Sequence, residues 1–558
     1  ALPISGMVSD DDFSVSEETL SDDAMRVETA SSEAPAKGKG GKKTGAAAKG
    51  RKKTPEEAEA LSPPAKRRSL AVEEKYQKMT QREHIIRRPD TYIGSVEKLT
   101  QEMWVYDSAK KGLVYRNVTF VPGFYKIFDE ILVNAADNKQ NDPSMDTIKV
   151  TIDRENGRIT VWNNGKGIPV VIHKQYNMYV PSLIFGQLLT GGNFNDDEKK
   201  VTGGRNGYGA KLTNIYSTEF RVETADKKEG KKFRQTWHDN MSKEDKPVIT
   251  NFRGSEYTEV SYVPDLSLFH MEGLDDDIVA LMEKRVVDMA GVSDSSLKVY
   301  LNGEKVDVKN FEAYTKMYQM ESSNANTKEN KLVYCKAGER WEVAVGVSDG
   351  HLQQVSFVNS ICTSKGGKHV DYIAQKLVDY LSPIVKKKTK KDVKPMMIKQ
   401  YLYIFVNCKI ENPAFDSQTK ETLTTVSKNF GSLPVLDDKF LAKVAKCGIV
   451  DAVTSFSRFK DDQMLKKQSG TKTARKLDIP KLDDANYAGT RQSQKCTLII
   501  TEGDSAKSTV IGGIGIVGRD YYGVFPLRGK MLNVRDVSRS AVINNEEIKN
   551  LVQILGLK

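Results

Sequence analysis

An α/β fold of several domains is the first expectation from this chain, and three observations carry it. Its 558 residues exceed one ordinary domain and suit two to four. From Tyr76 to about Leu301, helical periodicity alternates with strand-like runs such as TIKVTID (147–153) and ITVWNN (159–164). A second alternating stretch follows, with strands at WEVAVGVSD and YLYIFVN and a helix around DYIAQKLVDYLSPIV.

Taken in order, residues 1–72 are a charged tail, acidic first (SDDDFSVSEETLSDD), then basic (KGKGGKKTGAAAKGRKK and SPPAKRRS). Such a composition buries too little apolar surface to fold, so disorder is expected. The two basic clusters read as a nuclear import signal or a loose DNA contact, with a solvated linker as the plain alternative. Residues 73–305 form the first α/β unit and 306–455 the second. Residues 456–494, rich in Lys, Asp, Gln and Ser, read as a connector, and 495–558 open a third unit with the buried-strand signature CTLIIT. The net charge of +11 favours a polyanionic partner. Five scattered cysteines without a CxxC pair read as reduced thiols, and the six histidines do not cluster with them, which argues against a zinc site. No run of 18 apolar residues is present, so no transmembrane helix and no membrane partner are expected.

The most informative segment is FYKIFDEILVNAADNKQ (124–140). On a helix, Glu130, Asn134 and Asn138 line one stripe beside an apolar arc of Phe124, Ile127, Phe128, Ile131 and Ala135. A core helix rarely sets a carboxylate and two amides beside its buried face without a task. On this segment alone, a polar stripe that meets solvent accounts for the pattern equally well. Two glycine-rich loops shift the balance. WNNGKGIPV (162–170) leaves a strand with two amides, and TGGRNGYGAKLTNIYS (202–217) clusters glycines before a helix start at Ala210. Exposed backbone N–H groups and a positive helix end suit a polyphosphate. The second loop is not a Walker A motif: Gly204 and Gly209 have its spacing, but Ala210 intervenes before Lys211, and Leu212 stands where Ser or Thr would hold magnesium.

The ordered set of Glu–Asn helix, NNGKG and GGRNGYGAK resembles the Bergerat-type ATPase fold of gyrase, the MutL repair proteins, Hsp90 chaperones and histidine kinases. With NPAFDSQTK (412–420), the longer matches resemble the eukaryotic type II DNA topoisomerase family from about residue 76 onward. The resemblance implies a Bergerat-type ATPase α/β sandwich, a ribosomal-S5-like transducer domain and a partial TOPRIM α/β domain, with ATP and Mg2+ as cofactors. It implies Glu130 as the general base for the attacking water and Asn134 as a contact to the ATP-bound magnesium. Asn138 and Asn163 would engage the ribose and base. Arg205, Asn206, Gly207, Tyr208, Gly209, Ala210 and Lys211 would wrap the phosphates. Gln418, Thr419 and Lys420 would reach in from the second unit, with Lys420 neutralising γ-phosphate charge. One departure stands out: Gly191 and Gly192 replace two serines of many relatives before Asn193, so backbone N–H groups and Asn193 must serve there.

KKKTKKDVK (386–394), a charge run after a helix, is by itself a solvated face. In a clamp enclosing duplex DNA it becomes a phosphate-contacting loop, and the resemblance puts the contact at Lys386, Lys387 and Lys388. TLIITEGDSAK sets Glu502 after a strand, where the resemblance implies a TOPRIM magnesium ligand, and Lys530 and Asn533 in PLRGKMLNV match DNA-touching positions. No DxD pair follows Glu502 and no winged-helix tyrosine is present in these residues, so DNA cleavage by this chain is not expected. Gly513, Gly515 and Gly518 spell GxGxxG but follow a helix rather than a strand, which argues against a dinucleotide site. The resulting expectation is an ATP-hydrolysing, nuclear DNA clamp that homodimerises through an ATP gate on double-stranded DNA. The alternatives are a MutL- or chaperone-type ATPase, which the QTK and TOPRIM segments oppose, and a nonhydrolysing scaffold, which the presence of Glu130 and Lys420 opposes.

Overall fold

The computed structural model describes Tyr76, residues 78–192, 197–204, 206–319, 331–468, 479–535, 537 and 539–557, with the side chains of 462–468, 539, 540 and 543 undescribed. The expected tail, 1–72, lies outside the described residues. Lys78–Lys558 form one compact whole, and everything below concerns it.

Its first body is built on a nine-stranded sheet. In the middle, Ser217–Asp226, Tyr257–Pro264, Arg158–Asn164 and Thr147–Asp153 pair antiparallel in that order, and Lys298–Leu301 adds in parallel. Period-two alternation turns Ile148, Val150 and Ile152 inward, then Ile159, Val161 and Asn163 on the next strand. The last inward position of that second strand is therefore an amide rather than an aliphatic. Across the inner face lie two long helices, Pro122–Asn141 and Asp276–Val292. The first starts on Pro122, whose fixed φ suits a first helical position, and buries Phe124, Ile127, Phe128, Ile131 and Leu132. Each such side chain contributes about 1.5–3 kcal/mol by leaving water.

The second body is a five-stranded sheet ordered Val333–Lys336, Trp341–Val347, Leu402–Cys408, Gln353–Val358, Ile361–Cys362. Gln353–Val358 and Leu402–Cys408 run parallel, joined by the helix Lys368–Thr389. That helix packs Val370, Ile373, Ala374, Leu377, Leu381 and Val385 against the sheet. The apolar stripe reaches Val385, so the helix does not stop before the lysine run. Lys386, Lys387 and Lys388 are its last turn, where cations meet the negative end of the helix dipole. This corrects the expected loop.

The expected connector is also revised. A helix runs from Ile449 to Gln468, straight through residue 456, because Ile449, Val450, Val453 and Ser457 form one buried stripe at helical spacing. Residues 469–478 lie outside the described set. In the third unit, Thr497–Glu502 pairs in parallel with Tyr522–Leu527 around the helix Gly503–Val517. The first strand is not buried as expected: Thr501 alone is buried and Ile500 is exposed. Its sheet has two strands among the described residues, and Ile479, Leu551 and Ile554 cover Phe525 of the second. Gly513 and Gly515 lie inside the helix and Gly518 caps it, so the GxGxxG spacing builds no phosphate turn. No helix among the described residues is long and apolar enough to cross a membrane.

A buried ion pair of the first body also reaches the second through one hydrogen bond. Arg285 Nε donates to Asp129 Oδ1 at 2.7 Å, and its Nη2 donates to the Ser360 carbonyl of the second body at 2.6 Å. Replacing Arg285 by Leu strips Asp129 of this partner and removes the bond to Ser360. Arg285→Leu should lower the thermal midpoint, with a loss of about 3 kcal/mol or more. An unchanged melting curve would show that the pair holds nothing.

Candidate active site

A cavity of about 580 Å³ opens where the Pro122–Asn141 helix, the glycine loop and the second body meet. Such a volume suits a nucleotide-sized ligand. The helix supplies Glu130, Asn134, Ala135 and Asn138 to its wall, so the polar stripe faces a cavity and not bulk water. The strand Arg158–Asn164 adds Val161 and Asn163, and Val260 completes an apolar patch with Ile131. Asn163 Nδ2 donates to the Asn164 carbonyl at 2.9 Å. Asn138 Nδ2 reaches the carbonyls of Asn164 and Lys166 at 3.4 and 3.3 Å. Both amides are thereby oriented at one end of the cavity.

The glycine loop closes the opposite end. Asn206, Gly207, Tyr208, Gly209, Ala210 and Lys211 all line the cavity, and a helix starts at Gly209. Gly209 has a steric reason: a Cβ there would collide with the Glu130 carboxylate. Lys211 Nζ donates to the carbonyls of Thr190 and Gly207 at 2.5 and 2.6 Å, joining the glycine loop to the Thr190–Gly192 strap. Burial pushes its ammonium down to about 8. Gly191 and Gly192 also line the cavity. Asn193 and Arg205 lie outside the described residues.

From the second body, Gln418 and Lys420 reach the cavity, whereas Thr419 turns towards Gly94 and Glu421. Gln418 Oε1 accepts from Asn206 Nδ2 at 2.8 Å. Lys420 adopts a left-handed backbone, φ 62°, which is uncommon without glycine and holds its side chain inward. Its Nζ lies 3.0 and 3.2 Å from the two oxygens of Glu130, with both groups buried. Lys126 Nζ lies 2.7 Å from Glu130 Oε1. Burial alone would raise the Glu130 carboxyl, but these two ammonium groups outweigh it and hold it below its ordinary value.

Two residues escaped the sequence reading. Asp137 accepts the N–H groups of Gly203 and Gly204 at 2.8 and 2.7 Å and so anchors the front of the glycine loop. Burial raises its carboxyl to about 6, against the pull of those two N–H groups. It sits three residues beyond Asn134 on the same helical stripe, a spacing the sequence does display. Lys126 stands one turn before Glu130 and was visible by the same rule.

Other expected positions lie elsewhere. Lys386 pairs with Asp392, and Lys388 with Asp451 of the helix Ile449–Gln468. Lys530 and Asn533 are surface residues of the third unit, where Asn533 Oδ1 accepts from the Arg535 N–H at 3.1 Å. Glu502 is exposed, and no group of three or more His, Cys, Asp or Glu side chains able to hold a metal occurs among the described residues.

Known proteins resemble this chain in sequence and in fold. Residues 121–240 fit the family model described as "Histidine kinase-, DNA gyrase B-, and HSP90-like ATPase", and residues 301–473 fit "DNA gyrase B". DNA topoisomerase 2-alpha of Homo sapiens is 56% identical over 497 residues, covering 88% of this chain and 32% of that protein. DNA topoisomerase 2 of Drosophila melanogaster is 52% identical over 493 residues, 88% of this chain and 34% of that one. The crystal structure of the ATPase region of Saccharomyces cerevisiae topoisomerase II superposes with a TM-score of 0.66 at 49% identity, covering 70% of this chain and 100% of that one. The chain belongs to the type II DNA topoisomerase family.

The ATPase and transducer domains of DNA topoisomerase II from Balamuthia mandrillaris are similarly close, with a TM-score of 0.67 at 46% identity over 70% of this chain and 100% of that one. The chain spans about a third of the length of the curated type II topoisomerases it matches, 32% of the human protein. The ATPase model contains every described cavity residue from Glu130 to Lys211, and the gyrase B model contains Gln418 and Lys420. The gyrase B match runs on to residue 473, in keeping with a helix that continues past 456.

Asp137→Asn replaces one of the two acceptor oxygens by an NH2 group and removes the charge from the other. Hydrogen bonds to a charged acceptor contribute roughly 1.5–3 kcal/mol, so affinity for a nonhydrolysable ATP analogue should fall about tenfold or more by calorimetric titration. The wild-type carboxylate gains a proton as pH drops through about 6, so the gap between the two proteins should narrow below that pH. A gap that persists at pH 5 would mean that the charge of Asp137 does not order the loop.

Proposed function

We propose that this chain is the ATP-operated clamp of a type II DNA topoisomerase: it binds and hydrolyses ATP and uses the cycle to close and reopen around duplex DNA. One observation carries the reading. A carboxylate of the first body and a lysine of the second, Glu130 and Lys420, meet buried at the wall of a nucleotide-sized cavity.

In this reading Glu130 accepts a proton from the water that attacks the γ-phosphorus, and ADP departs as the bridging bond breaks. Lys420 moves from the carboxylate to the γ-phosphate, which carries more negative charge, so the second body senses ATP against ADP. The N–H groups from Asn206 to Lys211 hold the phosphates at a helix start, and Asn138 and Asn163 orient the ribose and base. Asn134 fits a magnesium contact: it is the exposed residue in an otherwise buried stretch of helix, and its side chain has no hydrogen-bond partner among the described residues. Bound there with the phosphates, Mg2+ would screen their charge. Glu502 is exposed and belongs to no group of three or more metal-ligating side chains among the described residues, so no metal-dependent step is assigned to the third unit.

A net charge of +11 and the helix-end lysines support a duplex partner bound by its phosphates, independent of sequence. The aspartate partners of Lys386 and Lys388 leave Lys387 as the best-placed phosphate contact of the three. Homodimerisation through the ATP gate and a nuclear location, served by the basic clusters of residues 1–72, belong to the same proposal.

Glu130→Gln should bind an ATP analogue as tightly as the wild type, within about threefold, and lose at least a hundredfold in turnover. Wild-type hydrolysis by that variant would remove Glu130 from its role. Separately, ATPase rate measured with and without linear duplex across a salt series should show stimulation by DNA that fades as salt rises. Indifference to DNA at every salt concentration would favour an ATPase of this fold with another task.

A further inference from the structure

Lys126 has no assigned task, and its surroundings are unusual. It is buried on the Pro122–Asn141 helix, one turn before Glu130, and it does not line the cavity, so it cannot act by holding a phosphate. Its Nζ lies 2.7 Å from Glu130 Oε1 and 3.4 Å from Asp129 Oδ2. The other Asp129 oxygen is taken by Arg285 at 2.7 Å, and Arg285 is itself bonded to the Ser360 carbonyl. Three cations and two anions thus form one buried array: Arg285, Asp129, Lys126, Glu130, Lys420. Lys420 borders the cavity and can pass to an incoming phosphate; Lys126 is pinned behind the carboxylate.

We infer that Lys126 is the positioning residue of the hydrolytic step, holding the Glu130 carboxylate in place and ionised after Lys420 has left it for the γ-phosphate. This rests on the reading of Glu130 as the base. Without Lys126, the departure of Lys420 would leave a buried carboxylate with no cation beside it, and such a group takes up a proton and turns aside. With Lys126 in place, Oε1 is anchored and Oε2 remains available to water. A buried lysine is a poor device for stability alone, since apolar groups of the same volume often serve as well. The charged groups around Glu130 are Lys126, Asp129 and, two turns on, Asp137 from its own helix, Lys420 from the second body, and Lys211 across the cavity, with Arg285 acting through Asp129. Of these, Lys126 alone both touches the carboxylate and stays clear of the nucleotide.

The test uses Lys126→Met in the full chain. Asp129 keeps Arg285 and Glu130 keeps Lys420 in the free protein, so folding should survive. Steady-state ATPase should show kcat reduced at least tenfold with KM for ATP within about twofold, and the acid limb of the kcat–pH profile should move to higher pH. Lys126→Arg, which restores the cation, should return the limb towards its wild-type position. Should the Met variant fail to fold, Lys126→Gln carries the same comparison. Unchanged kcat, or a lower kcat with the acid limb in place, overturns the inference. Glu130→Gln separates the two ideas: if that variant still hydrolyses ATP, the reading of the base fails; if it is inactive while Lys126→Met behaves as wild type, only the role of Lys126 fails.

Discussion

The contact between Glu130 and Lys420, 290 residues apart in sequence and buried at the junction of two bodies, is the constraint on which the rest of the structure turns. A lone carboxylate at that depth would be strongly disfavoured, and so would a lone ammonium. Lys126 supplies Glu130 with a cation from its own body, whereas Lys420 finds its carboxylate only where the two bodies meet. Docking has its own supports. Asn359, at the turn between two strands of the second body, donates to the Thr202 carbonyl at 3.2 Å and to that of Ile410 at 2.9 Å. Ile361, next along that turn, presses on Gly203, where a Cβ would not fit. The loop that would receive phosphates is thus held from behind by the domain that would respond to them.

This arrangement gives a physical route from chemistry to motion. Lys420 has two possible anionic partners, the carboxylate it now holds and the terminal phosphate of a bound nucleotide. In the proposed cycle Lys420, held on a left-handed backbone, exchanges the first partner for the second. Gln418, two residues before Lys420, is itself bonded to Asn206 of the glycine loop. From the second body the helix Ile449–Gln468 runs on towards the third unit, and its Asp451 and Asp461 hold Lys388 and Lys391. Duplex phosphates that compete for those lysines would act on the same helix.

Much of this was legible in sequence because helices and strands print their burial as periodicity. The stripe of Glu130, Asn134 and Asn138 beside an apolar arc stands as expected, and the strand alternation leading to Asn163 is regular. What sequence hid was long-range pairing. Nothing local indicates that Lys126 and Lys420 converge on one carboxylate, or that Asp129 finds Arg285, 156 residues away. Composition misled at residue 456, where polar surface residues masked a continuing buried stripe, and at CTLIIT, where an apolar run suggested burial that a two-stranded sheet does not provide. The lysine run looked like a loop because charge was read without the Val385 contact that prolongs the helix beneath it.

If the second body reads the terminal phosphate through Lys420, removing that ammonium must blunt the distinction between ATP and ADP. The most direct measurement is calorimetric titration of Lys420→Met and wild type with ADP and with a nonhydrolysable ATP analogue. The variant should keep its ADP affinity and lose its preference for the triphosphate. Equal losses for both nucleotides, or an intact preference, would contradict that reading.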